Sequence, residues 1–316
     1  MKIGLRYNSK YHIYDRKRRM DMKGKQRTRW LYAILLLLGM WMMPTAIVQA
    51  ADYEVTVVNE AITGTYKGKA LTDTYAAMIK KEDQYQVVKP CTKNSSIYYF
   101  DKDGYGRPYT KSGMLKITYN GKKKQYYAKK GALASNEIAG NSKEGYYYVG
   151  SDGIVVKDKV MKRAVKFVRA HTKANWSQSK KLKACYQYLW KHYTYQRFYE
   201  SPKASKMSSF ANYMLSKKKG NCYRYAASFA YIARALGYDV RVAAGSIPHL
   251  HGNGMTPHGW TEIKIDGSWY LFDANMQRNF PGVDSYMKTE KTYPYAHKVY
   301  ARYKMKVSNG KVSWKK

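Results

Sequence analysis

The chain has 316 residues, 45% of them hydrophobic, with 58 Lys and Arg against 21 Asp and Glu and a net charge of +37. That length accommodates two modest domains after any leader. Three cysteines allow at most one disulfide beside a free thiol, which excludes a small secreted fold stapled by disulfides.

Residues 1–29 hold eleven Lys or Arg against two Asp. Trp30 to Val48 carries no charge and includes a run of four leucines, and Val48-Gln49-Ala50 offers small residues for signal-peptidase cleavage. This reads as a secretory leader with a long basic front, cut before Ala51. The alternative is an uncleaved anchor over residues 30–48, because 19 uncharged residues nearly span a bilayer. Either way the remainder is expected outside the cell, secreted or on the bacterial envelope.

The charge is uneven. Residues 51–157 carry 17 basic and 11 acidic residues, whereas residues 158–316 carry 30 and 8, net +22. Such a surface suits an anionic partner. Nucleic acid does not fit a secretory leader, so an anionic wall polymer or acidic lipid is expected. The bland reading is a lysine-rich surface that keeps an extracellular protein soluble.

Residues 51–157 are rich in tyrosine. Tyr98-Tyr99 precedes Gly104, Tyr126-Tyr127 precedes Gly131, and Tyr146-Tyr147-Tyr148 precedes Gly153. Asn120-Gly121 between Leu115–Tyr119 and Lys122–Tyr127 marks a hairpin. Repeated short hairpins of this kind predict a stacked β array. The pattern over residues 96–156 resembles the choline- or glucan-binding repeats of Gram-positive cell-wall proteins, and implies a wall polymer or glycan as partner. It departs from them in having no tryptophan between 51 and 157. An aromatic cage for choline leans on tryptophan, so choline is disfavoured. A plain β spacer of mutually packed tyrosines is the alternative.

A helical pattern begins after Lys157-Asp158, with Val160, Ala164, Phe167 and Val168, and returns over Leu182 to Tyr193. Cys185 shares a helical face with Leu182 and Leu189 and is expected to be buried rather than paired with Cys91.

Gly220-Asn221-Cys222-Tyr223 opens an alanine-rich stretch that ends at Leu236-Gly237. Asn221 is a good N-cap and Gly237 stands where a C-terminal glycine belongs. Cys222, Ala226, Phe229, Ala233 and Leu236 recur at four and three, so Cys222 belongs in the first turn of a largely buried helix. The positive end of the helix favours a thiolate there, and the Cys222 N–H is a candidate oxyanion donor.

His258-Gly259-Trp260 and Trp269-Tyr270-Leu271-Phe272-Asp273 flank the two-residue turn Asp266-Gly267. Counting outward from that turn, Ile265 faces Ser268, Lys264 faces Trp269 and Trp260 faces Asp273. His258 then lies on the same sheet face as Trp260, diagonal to Asp273. Thiol, imidazole and carboxylate are the parts of thiol-based acyl transfer. Residues 245–257 read as a loop at the rim of the site. His249, His251 and His258 do not make a metal set, since no carboxylate or cysteine completes them, and no cofactor is expected. The tail 276–316 reads as loop-rich with a final hairpin at Asn309-Gly310.

These motifs, with Ala-Leu-Gly-Tyr-Asp-Val-Arg closing the helix, resemble the transglutaminase-like superfamily over roughly residues 158–280. The resemblance implies an α+β, papain-like fold, with the cysteine on a helix packed against an antiparallel sheet. It implies Cys222 as nucleophile, His258 as general base and acid, and Asp273 as orienter. It also implies an upstream oxyanion side chain, for which Tyr193 and Tyr195 are the candidates. The expected layout is a leader or anchor at 1–50, a β-rich tyrosine module at 51–157 and a catalytic domain at 158–316. The expected substrate is a protein or peptide amide, resolved by water or by an amine. The rival reading is a non-catalytic wall-binding protein with a residual triad.

Overall fold

The computed structural model describes residues 111–119, 122–249 and 252–316, together with the backbone of the strands between Tyr53 and Pro108. The leader and anchor readings at 1–50, Cys91, the turn at Asn120-Gly121 and His251 lie outside the described residues.

Between Tyr53 and Pro108 the described residues form short strands. Tyr53–Val58, Ala61–Tyr66 and Lys69–Ala70 form a three-stranded antiparallel sheet. Ala76–Lys81 pairs antiparallel with Gln84–Val87 and parallel with Ile97–Phe100, so this stretch is not a plain succession of hairpins. Strands Gly113–Tyr119 and Lys122–Lys129 lie on either side of Asn120-Gly121 in sequence.

Residues 111–115 and, from 125 on, the described residues to 316 belong to a separate compact unit. The last tyrosine run lies within it. Glu137–Asn141 and Gly145–Val149 form an antiparallel hairpin. Tyr148 is fully buried in the main core and its hydroxyl donates to Asn136 Oδ1 at 2.6 Å. Helix α1, Lys159–His171, is capped by the Asp158 side chain, which accepts from the Met161 N–H. It buries Val160, Ala164, Phe167 and Val168, the residues whose spacing predicts it. Helix α2, Gln178–His192, is capped by Ser177 and buries Leu182, Cys185 and Leu189. Cys185 is a free thiol, and burial pushes it up to about 12. Helix α3 spans Met207–Lys217 and helix α4 spans Cys222–Ala235.

Five antiparallel strands complete the unit: β1 Asp239–Pro248, β2 Met255–Ile265, β3 Ser268–Phe272, β4 Lys298–Ser308 and β5 Lys311–Lys315. Their order across the sheet is β3-β2-β1-β4-β5. Every residue of α4 is buried, because the sheet covers one side and α1 and α3 cover others. The α4–sheet seam holds Phe229, Val240, Val242, Ile263 and Phe272, all essentially inaccessible. Burying side chains of this size stabilises the fold by roughly 2 kcal/mol each. The architecture is α+β, as expected: a buried helix carrying a cysteine, laid on an antiparallel sheet.

Two stretches are more regular than the sequence suggests. The rim loop is short, because β1 runs to Pro248 and β2 starts at Met255. The tail is not loop-rich after residue 298. Val299, Ala301, Tyr303, Met305 and Val307 alternate along β4, which enters the sheet beside β1, and Asn309-Gly310 turns it into β5.

Candidate active site

Cys222 is the first residue of α4. The Asn221 side chain accepts from the Arg224 N–H, and Gly237 takes up a left-handed φ of +93° just past the helix end. Cys222 therefore lies among the N–H groups that have no acceptor one turn back, at the positive end of the dipole. Gly220 is needed for close packing: a Cβ there would stand 2.7 Å from Arg224 Cβ and 2.8 Å from Met214 Sδ. Cys222 is buried, 7% exposed, at the edge of the main core.

The β2–β3 register runs from Ile265↔Ser268 to Thr261↔Phe272, as counting outward from Asp266-Gly267 predicts. It brings His258 and Asp273 together. His258 Nε2 and Asp273 Oδ2 are 2.6 Å apart, and both residues are buried. That leaves His258 Nδ1 for Cys222. Burial alone would push the imidazole down. The charge and hydrogen bond of Asp273 outweigh it, Cys222 adds in the same direction, and His258 is raised to about 10. The imidazole is thus held as imidazolium near neutral pH, the form that stabilises a thiolate beside it. Gly259 in the His-Gly-Trp motif has a packing reason too: a Cβ there would meet the Tyr223 ring at 2.5 Å. Thr261 Oγ1 donates to the Ala226 carbonyl at 2.8 Å, pinning β2 to α4 beside the site.

Asp273 is fixed on every side. Its Oδ1 accepts from the Met276 N–H at 2.9 Å and so caps the short helix α5, Ala274–Asn279. Its own N–H donates to the Ser285 carbonyl at 3.0 Å. Its Oδ2 also accepts from the Tyr293 hydroxyl at 2.6 Å. Sequence reasoning missed Tyr293, which sits in a segment without periodicity. Burial, then the Asp273 charge, push the Tyr293 hydroxyl far above its ordinary range, so it remains a donor.

An ionic cluster anchored on the buried Glu262 and reaching the surface at Glu290 carries that segment. Glu262 is fully buried and bonds Arg241 and, at 3.0 Å, Arg302 Nε. Arg302 Nη2 reaches Glu290 at 2.8 Å, and Glu290 bonds His297 Nε2 at 2.7 Å. The His297 ring packs edge-on against Trp260 and Tyr293. Trp260 in turn stacks beside His258.

The two upstream tyrosines part company. Tyr193 is buried against Phe167 and is pushed up to about 12 by burial. Tyr195 is half-exposed, in a two-residue strand that pairs parallel with Lys219-Gly220, just before Cys222. Burial, then the neighbouring Cys222, raise its hydroxyl. The loop that follows is held to α4: Arg224 Nη2 bonds Glu200 at 3.0 Å and its guanidinium lies 3.6 Å from the Phe198 ring centre. The Tyr303 hydroxyl donates to the Pro202 carbonyl at 2.8 Å.

Residues 165–274 match the family model of the transglutaminase-like superfamily. The chain carries a transglutaminase-like domain. Cys222, His258 and Asp273 all fall inside the matched span. Among solved structures, a Cytophaga hutchinsonii protein described as a cysteine protease is 17% identical, with a TM-score of 0.31 over 49% of each chain. A structure described as a TGase is 20% identical, with a TM-score of 0.28 over 37% of this chain and 31% of its own. An arylamine N-acetyltransferase of Bacillus cereus, described as having a Cys-His-Glu catalytic triad, is 14% identical, with a TM-score of 0.26 over 37% of this chain and 49% of its own. The N-terminal region resembles Glucosyltransferase-S of Streptococcus mutans, 43% identical over 65 residues. That match spans 21% of this chain and only 4% of the longer protein. Among the described residues, no group of three or more His, Cys, Asp or Glu is placed to hold a metal ion.

Proposed function

We propose that this protein is a cysteine acyltransferase or peptidase of the cell surface. Cys222 is the nucleophile, His258 the proton carrier and Asp273 the group that orients it. The observation that carries the reading is the 2.6 Å His258–Asp273 bond, buried, with the second imidazole nitrogen left for a cysteine at a helix N-terminus.

The chemistry follows from that arrangement. The thiolate sulfur adds to the carbonyl carbon of a peptide or glutamine-type amide. The oxyanion forms beside the first-turn N–H groups of α4, and Tyr195, whose hydroxyl feels the Cys222 sulfur, is the candidate for the second hydrogen bond. The C–N bond breaks, the leaving amine takes the Nδ1 proton of His258, and a thioester remains on Cys222. Water or an incoming amine then loses its proton to His258 as it attacks, and the thiolate leaves. With water the outcome is hydrolysis; with a lysine amine it is a cross-link.

The basic front of residues 1–29 and the apolar run after it support export by the leader, and the tyrosine repeats support residence at the wall. The excess of 30 basic over 8 acidic residues in 158–316 supports an anionic envelope polymer as the surface against which the domain works. The test is labelling of the full chain with an amide-electrophile probe, beside Cys222→Ala and His258→Ala. Labelling of wild type that is lost in both variants is expected. Equal labelling of Cys222→Ala would leave the non-catalytic wall-binding reading in its place.

A further inference from the structure

We propose that the groove between α1 and the Gly145–Val149 strand is a binding site for a linear polyol-phosphate polymer, held by Lys162, Lys166 and Arg169. It deepens the reading of the basic surface on which it rests, and it is independent of the chemistry at Cys222.

Helix α1 has no acidic residue, and its apolar residues are spent on the core. Lys162, Lys166 and Arg169 recur at intervals of four and three and share the exposed face. At a rise of 1.5 Å per residue they stand about 6 and 4.5 Å apart along the axis. Lys159 extends the same row at its N-terminal end. A chain with one phosphate per short polyol unit could meet successive charges along such a ridge.

The ridge borders a cavity of about 450 Å³ lined also by Gly145, Tyr146 and Val165. Arg169 Cζ lies 3.1 Å from the centre of the Tyr146 ring, so the ring supports the guanidinium plane and leaves its edge N–H groups for an oxyanion. Lys162 Nζ stands 5.8 Å from the Tyr147 ring centre. Among the described residues none of these three cations is within ion-pair distance of a carboxylate. The acids that flank the two walls of the groove in sequence are engaged elsewhere. Glu144 accepts from Asn141 Nδ2 at 2.7 Å and from the Met114 N–H at 3.2 Å, and Asp158 caps α1.

The aromatic groups decide between phosphate polymers. Binding of single-stranded nucleic acid relies on open aromatic faces for base stacking. Here one face of Tyr146 is taken by Arg169, and the Tyr147 hydroxyl is held by the Glu144 carbonyl at 3.0 Å. The arginine fork suits phosphate, and the Gly145 wall, without a side chain, leaves room for a flexible aliphatic backbone. On this reading the Tyr146-Tyr147 pair of the last repeat stiffens an anion site on the transglutaminase-like domain.

The test is binding of synthetic poly(glycerol phosphate) to the full chain at fixed salt, with Lys162→Glu/Lys166→Glu compared against Lys304→Glu/Lys306→Glu. Both pairs change the net charge equally, and all four side chains are exposed. The groove pair should weaken binding about tenfold or more and flatten the salt dependence, with the β4 pair within about threefold of wild type. Arg169→Gln should weaken binding as well. Alkylation of Cys222 should be unchanged in every variant. Equal losses in the two pairs would overturn the groove while leaving a general charge effect. No binding by wild type would remove both. Tighter, groove-dependent binding of single-stranded DNA than of poly(glycerol phosphate) would overturn the assignment in favour of nucleic acid.

Discussion

The hydroxyl of Tyr293 donates to Oδ2 of Asp273 at 2.6 Å, the same oxygen that bonds His258. Two donors on one oxygen spread its charge, and so temper the pull of the carboxylate on the imidazole. Tyr293→Phe keeps the ring and removes one donor. The imidazole titration, followed by ring-proton NMR in a Cys222→Ala background, should then move further up. Stability should fall by about 1–2 kcal/mol in urea unfolding. A stability loss with an unmoved titration would reduce Tyr293 to packing.

Asp273 has a double duty, since it also caps α5. Asp273→Asn can still accept from the Met276 N–H, but its amide presents a donor or a weaker acceptor to His258. The expected result is a folded protein whose turnover on an amide substrate falls by roughly four orders of magnitude, with a smaller effect on KM. Near-wild-type turnover with an unchanged circular dichroism spectrum would leave at most a dyad of Cys222 and His258.

How far the sequence reaches can be judged residue by residue. The Asp266-Gly267 turn determines the β2–β3 register, and a register is enough to place His258 against Asp273. Asn221 and Gly237 mark the ends of α4 because capping is local chemistry. What is local is legible. Tyr293 is not, because its role depends on a loop held by Glu290, Arg302 and Glu262, partners scattered over some forty positions and set by tertiary packing. The tyrosine run 146–148 looks like its upstream copies, yet Tyr148 packs into the core beside α1. Repetition in sequence does not report which copy has a neighbour to lie on. Strand β4 was legible in principle: its alternation from Val299 to Val307 is a period of two hidden among lysines and tyrosines.

The raised imidazole makes stability depend on pH. His258 has an ordinary value of 6.5 and is raised to about 10 in the fold. Between those limits the folded chain binds more protons than the unfolded one, so unfolding free energy falls as pH rises. The contribution is complete below about pH 6.5 and is lost as pH passes about 10. Urea midpoints at several pH values should show this for Cys222→Ala, over a window that closes below pH 10 because the thiol's share of the upward pull is gone. They should show it less for Cys222→Ala with His258→Gln, the tyrosines being common to both. A difference between the two proteins that is flat from pH 6 to 10 would contradict a charged His258 in the neutral fold.

Tyr195 tests the oxyanion site apart from the thiol. Its strand pairs with Lys219-Gly220, so its position is tied to the residue that leads into Cys222, and its hydroxyl is near enough to be raised by that sulfur. A hydrogen bond to an oxyanion matters only once the carbonyl oxygen has become charged. Tyr195→Phe should therefore lower kcat on an amide substrate by about ten- to a hundredfold, with KM changed little. Alkylation by iodoacetamide forms no oxyanion and should keep its wild-type rate. Tyr193→Phe, in the buried cluster with Phe167, should leave kcat within about twofold if its hydroxyl has no part in the reaction. If Tyr195→Phe slowed alkylation and amide turnover equally, the residue would be acting on the thiol or on the shape of the site. The second oxyanion donor would then have to be sought elsewhere on the loop that Arg224 holds.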